Sequence, residues 1–141
     1  LRTFDYSGEI FADIDLSNPQ VLDALGGVAD GIIFAAMDFN VTPPSSTQAA
    51  AFLERYRGKF KREPWLGVAF AYDALAILDH LESGNQPLER QSIFALKKWP
   101  GIAAQLSFPS PGECAYNFSF VRRAEGKNVP FDLKKASAIT Q

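Results

Sequence analysis

A chain of 141 residues, 47% hydrophobic and 21% charged, has the length and composition of one folded domain and excludes a disordered tract. Sixteen acids against fourteen bases give a net charge of −2, which speaks against nucleic acid as a partner, because such binders carry a basic face. One cysteine, Cys114, excludes a disulfide framework and a multi-cysteine zinc site within the chain, and one histidine, His80, leaves a single imidazole for catalysis.

Charge is uneven along the chain. Residues 1–51 hold seven acids and one base, for −6, whereas residues 52–141 hold nine acids and thirteen bases, for +4. Such a bias either attracts a cationic ligand to the first part or is ordinary drift of surface charge.

The first predicted element is a strand over Glu9–Ala12, followed by a loop over 13–19. Pro19 suits the first turn of a short helix reaching Gly26, with Asn18 as its N-cap. The apolar run Ile32–Ala36 reads as a strand buried on both faces, so strand, helix and strand form one βαβ unit. Thr42-Pro43-Pro44-Ser45-Ser46 is a stiff connector that ends in capping residues. A helix then runs from Thr47 to Phe60, with Ala49, Phe52, Leu53, Tyr56 and Phe60 on one face. Lys61 to Pro64 stops it. The next helix, Trp65–Leu81, is apolar nearly all round and is expected to be buried. Its most apolar window, Trp65 to Leu78, contains Asp73 and is too short to span a bilayer.

A third helix is predicted over Glu89–Lys98 and ends at Pro100-Gly101. The period then changes from helical to alternating. Ile102–Phe108 is a strand, Pro109–Gly112 a turn, and Tyr116–Val121 a strand with an aromatic face. Arg122–Asn128 reads as a polar turn, and Val129–Phe131 as a short last strand. The class is α/β.

Few residues suggest chemistry. There is no Walker-type loop, no Gly-x-Gly-x-x-Gly after a strand and no Gly-x-Ser-x-Gly elbow. His80 in its apolar helix reads as structural or surface-lying, and Cys114 has no base near it in sequence. Arg55, Arg57, Lys59, Lys61 and Arg62 form a solvated helix face. Asp13 and Asp15 stand out, because they follow a predicted strand, where open α/β sheets place their ligand crevices. Two carboxylates at this spacing bind an ammonium group or a metal, act as an acid–base pair, or simply shape a turn.

The order of motifs resembles one known family. Phe52-Leu53-x-x-Tyr56-x-x-x-Phe60-x-x-x-Pro64 is followed by Ala71-Tyr72-Asp73-Ala74. Ala29-Asp30-Gly31-Ile32 precedes the linker, Gly101 to Phe108 with Gly112 matches a hairpin, and Arg122-Arg123-x-x-Gly126-Lys127 a closing strand pair. Together these are similar to the type I periplasmic binding proteins of branched-chain amino acid ABC transporters, with Ala104 and Pro109 as departures from the hairpin pattern.

The resemblance implies parts of two Rossmann-like lobes from the C-terminal portion of a longer protein. Residues 1–40 would end the second lobe, residues 45–108 would return to the first, and residues 114–141 would close the second. Pro43-Pro44 and Pro109–Pro111 would be hinges. It further implies a non-catalytic solute-binding component of an ABC importer, periplasmic or extracellular, binding a small amino acid, amide or organic acid without a cofactor. Asp13 and Asp15 would meet the ligand's ammonium group, and Trp65, Leu66 and Gly67 its side chain. The expected partners are the ligand, an ABC permease, and either the N-terminal remainder of the protein or a second copy. A ligand-sensing domain of a receptor or regulator, and a metal-assisted hydrolase using Asp13 and Asp15, are the alternatives.

Overall fold

The computed structural model describes residues 6–44 and 46–133. Two compact units share the chain. Unit 1 takes the residues up to Ala36, Asn40–Pro43, and those from Ser119 onward; unit 2 takes Met37–Phe39 and Pro44–Phe118.

Unit 1 is a four-stranded sheet with one helix. Strand β1 (Phe11–Ala12) runs parallel to β2 (Ile33–Ala36), with Phe11 opposite Ile33 and Ala12 opposite Phe34. Between them lies α1 (Pro19–Leu25), where Asn18 Oδ1 accepts the Gln20 N–H at 3.0 Å and Pro19 opens the first turn, as its sequence predicts. On the other edge of β2, β6 (Ser119–Ala124) pairs antiparallel and is followed by β7 (Lys127–Pro130), giving the order β1-β2-β6-β7. Arg122 and Arg123, expected in a turn, instead lie within β6. The turn is only Glu125-Gly126, and both residues have positive φ, the geometry that matches the twist of a two-residue hairpin. Leu22, Ala29, Phe34, Ala36, Val41 and Val121 form the core.

Unit 2 is mainly helical. Helix α2 (Thr47–Phe60) begins where Ser46 Oγ accepts the Ala49 N–H at 3.0 Å and ends at Lys61 in a left-handed conformation. Ala49, Phe52, Leu53 and Tyr56 are buried as the periodicity predicts, but Phe60, expected on the same face, is 48% exposed at the last residue of the helix. Helix α3 (Leu66–Ser83) buries Ala69, Asp73, Ile77 and Leu81 along one line. The expectation that α3 is buried all round is not met: Leu75 is 68% and Leu78 40% exposed. The described residues cover one side of this helix, and its apolar opposite side faces outward.

Helix α4 (Arg90–Ala95) is shorter than predicted, because Lys97 takes a positive φ and Lys98 already belongs to β3 (Lys98–Pro100). Strand β3 pairs with β4 (Gln105–Ser107), and β4 with β5 (Ala115–Tyr116), all antiparallel. Pro100 is tolerated because β3 is an edge strand. The aromatic run expected as one strand is therefore two: Tyr116 pairs with Leu106 in unit 2, whereas Phe120 pairs with Ala35 in unit 1. The chain leaves unit 2 after Phe118, later than the hinge expected at Pro109–Pro111. The overall class is α/β, with parallel and antiparallel strands.

Candidate functional site

Asp13 sits immediately beyond the carboxyl end of β1. An Asp is well suited there, because its short side chain can bond to the backbone two residues on. Asp13 Oδ1 accepts the Asp15 N–H at 3.1 Å and so caps a 3-10 turn over Ile14–Ser17. Both carboxylates are exposed. The turn-shaping role and ligand binding are compatible, since one carboxylate oxygen of Asp13 serves the cap and the other faces no such demand.

The register of the sheet gives this position its meaning. Ala12 lies opposite Phe34, and Ala36 lies opposite Ser119. The carboxyl ends of β1 and β2 and the start of β6 therefore share one end of the sheet. Asp13 follows β1 at that end, Met37 leaves the unit there, and Ser119 enters it there. In parallel arrangements this is the end at which ligands bind.

Trp65, Leu66 and Gly67 belong to unit 2 and form the start of α3. Trp65 is the N-cap residue, in extended conformation and without a side-chain hydrogen bond to the first turn. Its indole is 51% exposed and lies across Gly67. A Cβ at Gly67 would come within 2.8 Å of Trp65 Cζ2, so the glycine makes room for the ring. Leu66 is half-buried. The structure thus gathers Asp13 with Asp15 in one unit, and Trp65 with Leu66 and Gly67 in the other.

Asp73 was assigned no role from sequence, although a lone carboxylate in an apolar window is a visible signal. It is almost fully buried. Its Oδ1 accepts the Ile102 N–H at 2.7 Å and its Oδ2 the Ala103 N–H at 3.0 Å. Burial raises its pKa above the ordinary carboxylate value, and the two amide donors partly oppose that rise. A Cβ at Gly101 would meet Asp73 Oδ2 at 2.4 Å, so Gly101 is required by this close approach.

His80 packs against Trp99 with ring centroids 5.3 Å apart and the rings tilted by 56°, in keeping with a structural or surface histidine. Cys114 is exposed and lies at an apolar hollow of about 340 Å³ lined also by Phe70, Ile77, Leu78, Ile93 and Phe108. Groups of three or more His, Cys, Asp or Glu side chains placed to hold a metal ion do not occur among the described residues. No helix among the described residues is long and apolar enough to cross a membrane.

No family model and no curated protein sequence matches the chain. Solved structures do. A candidate branched-chain amino acid ABC transporter protein from Rhodospirillum rubrum superposes with a TM-score of 0.75 at 21% identity, over 93% of this chain and 39% of that one. The leucine binding protein LivK from Thermotoga maritima gives a TM-score of 0.71 at 20% identity, over 93% and 38%. A solute binding protein of an ABC transporter from Rhodopseudomonas palustris, solved with 3,4-dihydroxybenzoic acid, gives 0.70 at 20% identity, over 92% and 38%. The fold is therefore shared with part of each of these three structures, and the chain spans about two-fifths of their length.

Proposed function

We propose that the chain is the C-terminal portion of a solute-binding component of an ABC importer, acting outside the cytoplasm and without catalysis. Unit 1 corresponds in this reading to the closing part of the second lobe and unit 2 to the returning part of the first. The carrying observation is the position of Asp13, at the end of the sheet where the chain both leaves and re-enters unit 1. A ligand held there is in reach of whatever the crossing segments bring over it, which suits a site closed by hinge motion.

The ligand class follows from the groups available. Asp13 and Asp15 offer carboxylates to an ammonium group through charge-assisted hydrogen bonds. Trp65 offers an exposed indole face, and Leu66 and Gly67 a small apolar surface, to an aliphatic or aromatic side chain. A small amino acid supplies both an ammonium group and a side chain, and a related amide can donate its N–H groups instead; an organic acid would use only the apolar surface. The matched proteins named for leucine binding and solved with dihydroxybenzoic acid are consistent with solutes of this size.

The outward apolar side of α3 supports a further partner, the N-terminal remainder of the same protein. Soluble proteins rarely leave such a surface in water. An ABC permease would receive the loaded protein.

Isothermal titration of the full-length protein with a panel of amino acids, amides and aromatic acids tests the reading. One or more solutes are expected to bind, with Asp13→Asn and Asp15→Asn weakening binding of the amines. If no solute binds the folded protein, the reading is wrong. Turnover of a solute abolished by either substitution would restore the hydrolase instead.

A further inference from the structure

Five cations gather around the end of α2: Arg55, Arg57, Lys59, Lys61 and Arg62, all exposed. They do not share one line. Arg55 and Lys59, four residues apart, lie on one side of the helix and Arg57 on another, while Lys61 and Arg62 follow its last residue, Phe60. With two acids in the same stretch, Glu54 and Glu63, residues 54–63 carry +3.

The fold takes one of those acids out of play. Arg57 Nε and Nη2 donate to Glu63 Oε1 and Oε2 at 2.7 and 2.9 Å, so Glu63 spends its charge away from the other cations. The same pair ties the segment after the helix back to it, and Pro64 beyond is fully buried. Lys61 and Arg62 are therefore carried on a short loop pinned at both ends. Lys61 itself is left-handed, at φ 54° and ψ 31°, a conformation that glycine adopts at less cost. Arg55 donates to the Tyr72 hydroxyl at 3.1 Å, a neutral acceptor that orients the guanidinium and leaves its charge in place.

A helix C-terminus favours cations through its dipole, but that does not account for the aromatic ring among them. Phe60 rests on Tyr56 with ring centroids 4.6 Å apart, and Lys59 Nζ stands 5.4 Å from its centroid. About half of its surface is still open to solvent.

We propose that this end of α2 is a contact surface for a bilayer carrying anionic phosphate headgroups. Lys59, Lys61 and Arg62 meet the phosphates, and the Phe60 ring enters the headgroup layer between them. Cations set around an exposed aromatic ring are the combination that rests at a charged membrane interface. The patch is too small for a stable protein partner, which takes about 800 Å² from each side. Attraction to anionic lipid instead accumulates charge by charge, at roughly fivefold for each cation. The contact is weak and reversible, and it would concentrate a solute-binding protein near the membrane that holds its transporter.

Cosedimentation of the full-length protein with vesicles tests this. Two compositions are compared: phosphatidylcholine alone, and phosphatidylcholine with about one-third phosphatidylglycerol. Partition into the second is expected to exceed partition into the first by roughly a hundredfold and to fall as salt rises. Lys59→Gln, Lys61→Gln and Arg62→Gln made together should remove that preference. Should this triple variant fail to fold, Arg62→Gln alone decides, with a roughly fivefold loss expected. Phe60→Ala should lower partition about fivefold while leaving its slope against salt unchanged. Lys127→Gln, at an exposed cation of unit 1, should change it by less than about twofold. Equal partition into both vesicles, or none into either, would overturn the inference. A preference that survives the triple substitution would do the same, because cations elsewhere would then carry it. Binding that requires an embedded protein and not phosphatidylglycerol would replace the bilayer with an acidic protein face. Solute titration stands apart from these readouts, so the proposed function and the membrane contact fail separately.

Discussion

The two units solve the problem of burial differently. Unit 1 surrounds its central strand: β2 has a neighbour on each edge, Phe34 and Ala36 are sealed among Leu22, Ala29 and Val121, and Ile33 is buried as well. Unit 2 has an equally apolar central element in α3, but the described residues cover only its Ala69–Asp73–Ile77–Leu81 line. Hydrophobicity alone therefore does not say whether an element has its full complement of neighbours. Register and coverage do, and by that measure unit 1 surrounds its central strand whereas unit 2 covers one side of its central helix.

The contrast can be broken by substitution in the full-length protein, measured by urea unfolding. Phe34→Ala in the core of unit 1 should be the most damaging change, costing about 3–5 kcal/mol through lost burial and an unfilled cavity. Leu75→Ala, on the outward side of α3, should cost about 2–3 kcal/mol if the remainder of the protein covers it. A change below about 0.5 kcal/mol, the usual range of a surface site, would mean that this side stays in water.

Asp73→Asn should cost about 2–3 kcal/mol, since one of the two buried amides then faces an NH₂ group instead of an acceptor. Gly101→Ala attacks the same contact from the other partner and should act in the same direction. The pH dependence of Asp73 sharpens this. Burial raises its folded pKa above the unfolded value, so the folded state holds the proton more tightly. Its contribution is thus fully present below the ordinary carboxylate value and is lost as pH rises through the raised one. Unfolding free energies of the wild type minus those of Asp73→Asn should decline with rising pH across that window. A rising difference would show that the two amide bonds outweigh burial.

The smallest effect is expected at the surface. Arg57 and Glu63 pair through two contacts of 2.7 and 2.9 Å, but both side chains are about half exposed. Glu63→Gln should change stability by no more than about 0.5 kcal/mol, less in high salt, detectable as a small shift of the urea midpoint.

Much of the fold was legible before any coordinates. Helix α2 has the predicted limits, because the capping Ser46 and the Lys61–Pro64 stop are local signals at its two ends. The βαβ start of unit 1 was legible for the same reason, through Asn18-Pro19 and the apolar run of β2. What local patterns could not give is which sheet a strand joins. Ala115–Tyr116 and Ser119–Ala124 share one alternation, and only their distant partners, Leu106 and Ala35, separate them. Asp73 was hidden likewise, since its two donors lie far along the chain. The candidate site residues are legible as chemistry rather than as geometry: Asp13 follows a strand in the sequence, but its cap on Asp15 and its place at the shared sheet end needed the register.

The discontinuity of unit 1 also orders its assembly in time. Ala36 must find Ser119 across the whole of residues 44–118, and closing so long a loop carries a large entropic barrier. Residues 44–118 are nearly all of unit 2 and are made earlier on the ribosome than β6 and β7. If they collapse first, the ends of the loop are brought together by a compact insert instead of a free coil. Unit 1 would then mature after unit 2, although its first strands precede unit 2 in the chain.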